Sequence, residues 1–143
     1  MALQRHVLLH LGVYIFFSNG ASESDTQNSV TLGSAYRNTS IVIYQKTLEY
    51  ITQSEPEVLP VLEQTTLNHE MGHLMGLVNI QNDDIHPIHE DPQAEKHCIH
   101  EDCLMYYDAT AVGRKMLEKW TLLRSVPELE IQCLEDLQSK GAL

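Results

Sequence analysis

The sequence predicts an α+β domain, and three observations predict it. Short runs of β-branched and aromatic residues crowd the N-terminal half. A long helical repeat of apolar and histidine positions follows near the middle, and a second helical pattern closes the chain. The 143 residues suffice for one domain and are too few for two of ordinary size, so residues 1–143 are read as a single domain. Lys and Arg number 9 against 20 Asp and Glu, a net charge of −11. Such a chain repels phosphate backbones and anionic lipid, which disfavours nucleic-acid binding and electrostatic membrane docking. Hydrophobic residues make up 43%, too many for a disordered polyelectrolyte. A soluble monomer is the expected form.

The first element is the apolar run from Val7 to Phe17, too short to span a bilayer as a helix. It fits a signal-peptide core, with Arg5 ahead of it and Gly20, Ala21 and Ser22 behind. It fits a buried strand better, because Val13 to Phe17 are β-branched or aromatic and His10 and Gly12 break the run. Residues 1–21 are therefore a strand or a signal segment. Ser22 to Ser29 is small and polar and reads as a loop. Ser29–Tyr36 and Thr39–Tyr44 read as two strands around Arg37-Asn38. The sequon Asn38-Thr39-Ser40 is read as an ordinary turn.

Pro60 suits a first helical turn, where its missing N–H is harmless. Leu62, Thr66, His69, His73 and Leu77 then recur at steps of three and four, which predicts a helix over Pro60 to Leu77. Val78 to Lys96 is polar, acidic and broken by prolines, an inserted loop of a length usually tied to function or mobility. Val126 to Lys140 reads as a last helix, with Pro127 at its start and Leu129, Cys133, Leu134 and Leu137 on one face.

Six of the eight histidines fall between His69 and His100, the crowding expected of a metal site. His69-Glu70-Met71-Gly72-His73 is an HExxH pattern. On a helix its two imidazoles share a face, and neutral imidazoles are good Zn²⁺ ligands. Glu70 can reach a water beside the metal and act as general base. The histidines continue the apolar helix face, where ionisable groups are costly without a partner such as a metal. Gly76 allows the positive φ that ends a helix sharply and lets a later segment supply a third ligand.

HExxHxxG with a downstream methionine resembles the metzincin zinc metallopeptidases. The run His97-Cys98-x4-Cys103-x-Met105 resembles the archaemetzincin-like and bacterial metzincin-like branch at every fixed position. The resemblance covers chiefly residues 30 to 110. It departs in the gap: Asn79 stands where a third histidine normally sits, and about twenty residues separate Gly76 from His97. The resemblance implies a small twisted mixed sheet packed on the active-site helix, a Met-turn and a C-terminal helix. Only about sixty residues precede the zinc helix, so the front end is expected to be reduced.

His97 is the expected third ligand, because imidazole binds Zn²⁺ far better than a neutral amide; His89 and then Asn79 are the alternatives. The resemblance makes Met105 the apolar floor beneath the metal and brings Tyr107 toward it. A phenol there can donate a hydrogen bond to an oxyanion. The strand Thr39–Tyr44 would be the edge above the cleft, where an extended peptide adds by main-chain hydrogen bonds.

Three cysteines cannot all pair within one chain. Cys98 and Cys103 are close enough to bridge and so brace His97. A structural zinc site shared with Cys133 is the other arrangement, placed second because a fourth cysteine is missing. The seven carboxylates between Asp83 and Asp102 could bind Ca²⁺, but a solvated loop is favoured because no EF-hand spacing is present. The expectation is a zinc metallopeptidase acting on peptides or proteins. The alternatives are a non-catalytic zinc-binding domain and a non-peptidase zinc hydrolase of the deformylase or ribonuclease kind. A disulfide or a signal segment would place the protein outside the cytoplasm.

Overall fold

A computed structural model of the chain describes residues 12–107 and 125–141. It is a mixed α+β fold built on a small three-stranded sheet. The strands are β1 (Tyr14–Phe17), β2 (Gly33–Tyr36) and β3 (Ser40–Ile43), in the order β1-β3-β2. β1 runs parallel to β3, with Tyr14 opposite Ser40 and Phe17 opposite Ile43. β2 runs antiparallel to β3, with Gly33 opposite Ile43 and Tyr36 opposite Ser40. Arg37 and Asn38, at φ of 50° and 58°, form the left-handed corner of this hairpin.

Three α-helices lie among the described residues: α1 (Gln45–Ile51), α2 (Leu59–Leu74) and α3 (Ile131–Ser139). The sequence reading missed α1, whose seven residues are too few for a clear period and bury only Leu48. α2 begins one residue before the predicted helix and stops three short of Leu77. It stops there because Gly76 turns left-handed at φ 83°. Gly76 N–H then donates to His73 O and Leu77 N–H to Gly72 O, both at 3.0 Å, a Schellman closure. α3 is shorter than predicted. Pro127 lies outside it, and the Glu130 side chain caps it by accepting from Gln132 N–H at 3.0 Å. Leu134, expected on the buried face, is 38% exposed.

Two corrections concern strands. Thr39–Tyr44 supplies the central strand and not the edge; β2 is the edge beside the cleft. β3 is central because Ile41 and Ile43 are fully buried on α1 and α2 while its remaining edge accepts β1. The run from Val7 does enter the sheet, at Tyr14–Phe17, but all four of those side chains are exposed. The part of that run before residue 12 lies outside the described residues.

Apolar side chains gather in two places. Leu32, Ile41, Ile43, Leu48, Val58 and Leu62 fill the space between sheet and helices. Leu77, Val78, Cys98, Cys103, Met105 and Cys133 form a second, sulfur-rich cluster beneath the C-terminal end of α2. The segment around this second cluster has almost no regular structure. One 3₁₀ turn at Pro87–His89 and isolated bridges from Cys98 to Glu90 and to Tyr106 are its only ordered backbone among the described residues. No described helix is long and apolar enough to cross a membrane.

Candidate metal centre

The inner face of α2 is largely polar: Thr65, Thr66, His69 and Glu70 are all buried beside Leu62. Buried polar groups require partners. The two threonine hydroxyls donate to the carbonyls of Val61 and Leu62, each at 2.8 Å. The remaining two residues open onto the site.

His69 Nδ1–H donates to Leu104 O at 2.8 Å, which fixes the tautomer and turns Nε2 inward. His97 Nδ1–H donates to Glu95 O at 2.9 Å and is fixed the same way. The ring centroids of His69, His73 and His97 stand 4.7, 5.0 and 5.2 Å apart. One nitrogen from each ring lies within 4.8 Å of the others. His69 Nε2 and His73 Nδ1 are buried and have no hydrogen-bond partner among the described residues. A metal ion answers the convergence and the inward-facing Nε2 of His69, and three neutral imidazoles suit zinc. Neutrality is enforced locally. Burial drives His69 down from 6.5 to about 4. Burial, then repulsion by His69 and His97, drives His73 to about 2, and burial lowers His97.

Glu70 is 2% exposed. Burial raises its carboxyl from 4.5 to about 7, against the opposing pull of the Ala35 N–H, which donates to it. The close approach of β2 to α2 creates this environment. A Cβ at Gly33 would stand 2.7 Å from Thr66 Cγ2 and 3.0 Å from Glu70 Cγ, so only glycine lets the strand lie this near. Gly33, Ala35, Glu70, His73, His97 and Tyr107 line one cleft of about 490 Å³. Tyr107 packs edge-on against His97 at 5.1 Å between centroids. Met105 is fully buried under α2, and a Cβ at Gly72 would overlap its sulfur.

The two alternative ligands lie elsewhere. Asn79 organises the 78–96 loop: its N–H donates to Asp84 at 2.7 Å, its side-chain amide to Glu90 at 3.1 Å, and its carbonyl accepts from Lys96 Nζ at 2.6 Å. His89 is buried and donates from Nε2 to Asp136 at 2.8 Å. The acidic residues Asp83 and Asp84 pair with Lys140 of the α3 C-terminus.

The cysteines require a correction. All three thiols are free and buried, so the expected Cys98–Cys103 disulfide is not formed. Its support for an extracytoplasmic location is removed with it. Cys103 Sγ lies 3.6 Å from Cys133 Sγ, well beyond a disulfide bond of about 2.05 Å. His89 Nδ1 lies 3.5 Å from Cys98 Sγ and 3.6 Å from Cys133 Sγ. Cys103 Sγ also accepts the N–H groups of Met105 and Glu130, each at 3.4 Å. Sulfur hydrogen bonding with Cys133 and then Cys98 pushes the Cys103 thiol well down, and the same bonding with Cys103, followed by burial, pushes the Cys98 and Cys133 thiols up. Sequence reasoning missed His89 and Asp136 in this cluster. Only the i, i+3 spacing of Cys133 and Asp136 on one helix offered a signal.

No family model matches the chain, and neither a curated protein nor a solved structure matches it significantly.

Proposed function

We propose that the chain is a zinc-dependent endopeptidase of the metzincin type. The observation that carries the reading is the convergence of His69, His73 and His97 beside a buried Glu70 at the floor of an open cleft. His69, His73 and His97 would hold a zinc ion, which would supply Lewis acidity and lower the pKa of a water beside it. Glu70 then takes the proton of the attacking water and passes it to the leaving amine. The Tyr107 hydroxyl donates to the developing oxyanion. β2 presents a sheet edge along the cleft, to which an extended peptide adds by main-chain hydrogen bonds.

The thiol cluster favours a second ion with a structural role. A tetrahedral zinc with bonds of about 2.3 Å to sulfur and about 2.05 Å to nitrogen separates its sulfurs by about 3.8 Å and a sulfur from a nitrogen by about 3.6 Å. His89 Nδ1 stands 3.5 and 3.6 Å from the sulfurs of Cys98 and Cys133, as in that cage, and Glu130 completes a group of four whose ligand atoms all lie within 4.8 Å of one another, with Cys103 Sγ 3.6 Å from Cys133 beside it. Asp136 orients His89 as outer-shell carboxylates commonly orient metal-binding imidazoles.

Glu70→Gln tests the catalytic reading. The variant is expected to keep the zinc of the histidine centre and to lose at least about 100-fold in hydrolysis of an unfolded protein substrate. Wild type that holds that zinc and cleaves nothing would instead establish a non-catalytic zinc domain.

A further inference from the structure

Building on the two-ion reading, we infer that the ion of the thiol cluster is the device that positions the histidine centre, so the thiol centre fills first and the histidine centre depends on it. Two of the three histidines are set by neighbours of the thiols. His97 is bonded to Cys98. His69 is oriented by the carbonyl of Leu104, which lies between Cys103 and Met105. Helix α2 alone fixes only the Cα positions of His69 and His73.

The segment carrying His97 has few other restraints. Asp91 N–H donates to His97 O at 2.7 Å, Ile99 N–H to His89 O at 2.8 Å, and Cys98 N–H to Met105 O at 2.8 Å. Each of these bonds joins one irregular segment to another irregular segment. The anchor outside them is α3, which supplies Cys133, at 0% exposure, and Asp136. An ion on His89, Cys98, Cys133 and Glu130 therefore ties the loop, the His97 segment and α3 together at one point, against Cys103 and the Met105 turn that it anchors. Metal binding then supplies the order that this region's small apolar cluster lacks. His89 brings the 78–96 insertion under the same control, because Asp136 also accepts the His86 N–H at 2.9 Å.

The test is a cobalt titration of the full chain, stripped of metal under reducing conditions. Thiolate-to-cobalt charge transfer reports the thiol centre, and the d–d bands of an imidazole-bound ion report the histidine centre. In wild type the thiolate band is expected to saturate with the first equivalent, and the histidine bands to rise with the second. Cys133→Ser is expected to weaken the histidine centre at least about tenfold, although Cys133 touches none of its ligands. Asp136→Asn is expected to weaken the thiol centre about tenfold and to shift both steps together. His97→Ala is expected to abolish the second step and leave the first unchanged.

Three results overturn the inference: a first equivalent that fills the histidine centre, a Cys133→Ser histidine centre of wild-type affinity, or no thiolate band at any cobalt level. If Cys133→Ser does not fold, the loading order of wild type and the Asp136→Asn shifts still decide. Hydrolysis is not read in any arm, so ordered loading without peptidase activity would sink the catalytic reading and leave this one standing.

Discussion

Replacing Glu70 with Gln in metal-free protein isolates the cost of burying the carboxylate. Its carboxyl rises from 4.5 to about 7 on folding, chiefly through burial. Between those values the native state holds a proton that the unfolded state has released. The stability this proton contributes is complete below pH 4.5 and is lost as pH rises through about 7. The interval from 4.5 to about 7, at about 1.4 kcal/mol per pH unit, amounts to about 3 kcal/mol. Gln keeps the shape and never ionises. Glu70→Gln is therefore expected to differ from wild type by a small constant below pH 4.5 and to gain steadily above it. It should end about 3 kcal/mol more stable near pH 8.

His69, His73 and His97 act with the opposite sign. Their lowered values make the native state resist protons, so they cost stability as pH falls below 6.5. They are present in both proteins and cancel in the difference. The assay is urea unfolding followed by circular dichroism from pH 4.5 to 8.5, with a chelator present and m-values compared. Saturating zinc should shrink the gain, because a nearby cation favours the carboxylate. A difference that stays flat across this range refutes the reasoning, because it means Glu70 is solvated and not buried at the floor of the cleft.

Gly72→Ala is expected to destabilise the protein by about 1–2 kcal/mol despite a helix-propensity gain, because overpacking outweighs it. The added methyl overlaps Met105 Sδ and stands 3.0 Å from its Cε; thermal unfolding reads the loss, and Met105→Ala in the same chain should relieve part of it. Gly76→Ala meets nothing nearer than 3.7 Å, so its cost is the left-handed backbone alone, about 1 kcal/mol by urea unfolding. Tyr107→Phe is expected to lower kcat about 10- to 100-fold at unchanged KM and zinc content, as loss of an interaction made only in the transition state requires.

The legible parts of the fold were those with a strong local period. Ile41 and Ile43 alternate with partly covered neighbours, so β3 could be read from its pattern, and α2 could be read from its steps of three and four. Sheet order could not be read. Whether a strand is central or at an edge depends on which of its flanks finds a partner, and β1 reaches β3 from more than twenty residues away. The end of α2 was misjudged because Leu77 continues the apolar period beyond Gly76. Backbone at φ 83°, followed by Val78 and Asn79 at 55° and 56°, overrode that period and sent the chain beneath the helix.

The site divides along the same line. His69, Glu70 and His73 were legible because a helix converts spacing into direction. His97 was legible through donor chemistry, since no spacing rule spans a twenty-residue insertion. The partnership of His89 with Cys133 and Asp136 was illegible, because it joins residues more than forty positions apart through tertiary contact alone. Its physical logic appears only in three dimensions. Leu77, Val78 and Met105, with partly buried Leu129 and Leu137, are the apolar side chains of the second cluster, and three thiols make up the rest of its buried set. Burial of so few side chains is a weak restraint on a segment without helix or strand. Three buried thiols and the His89–Asp136 pair fill that space in place of a larger apolar core. They do so one residue from His97 and one residue from the carbonyl that aims His69, where a small displacement would disperse the three imidazoles.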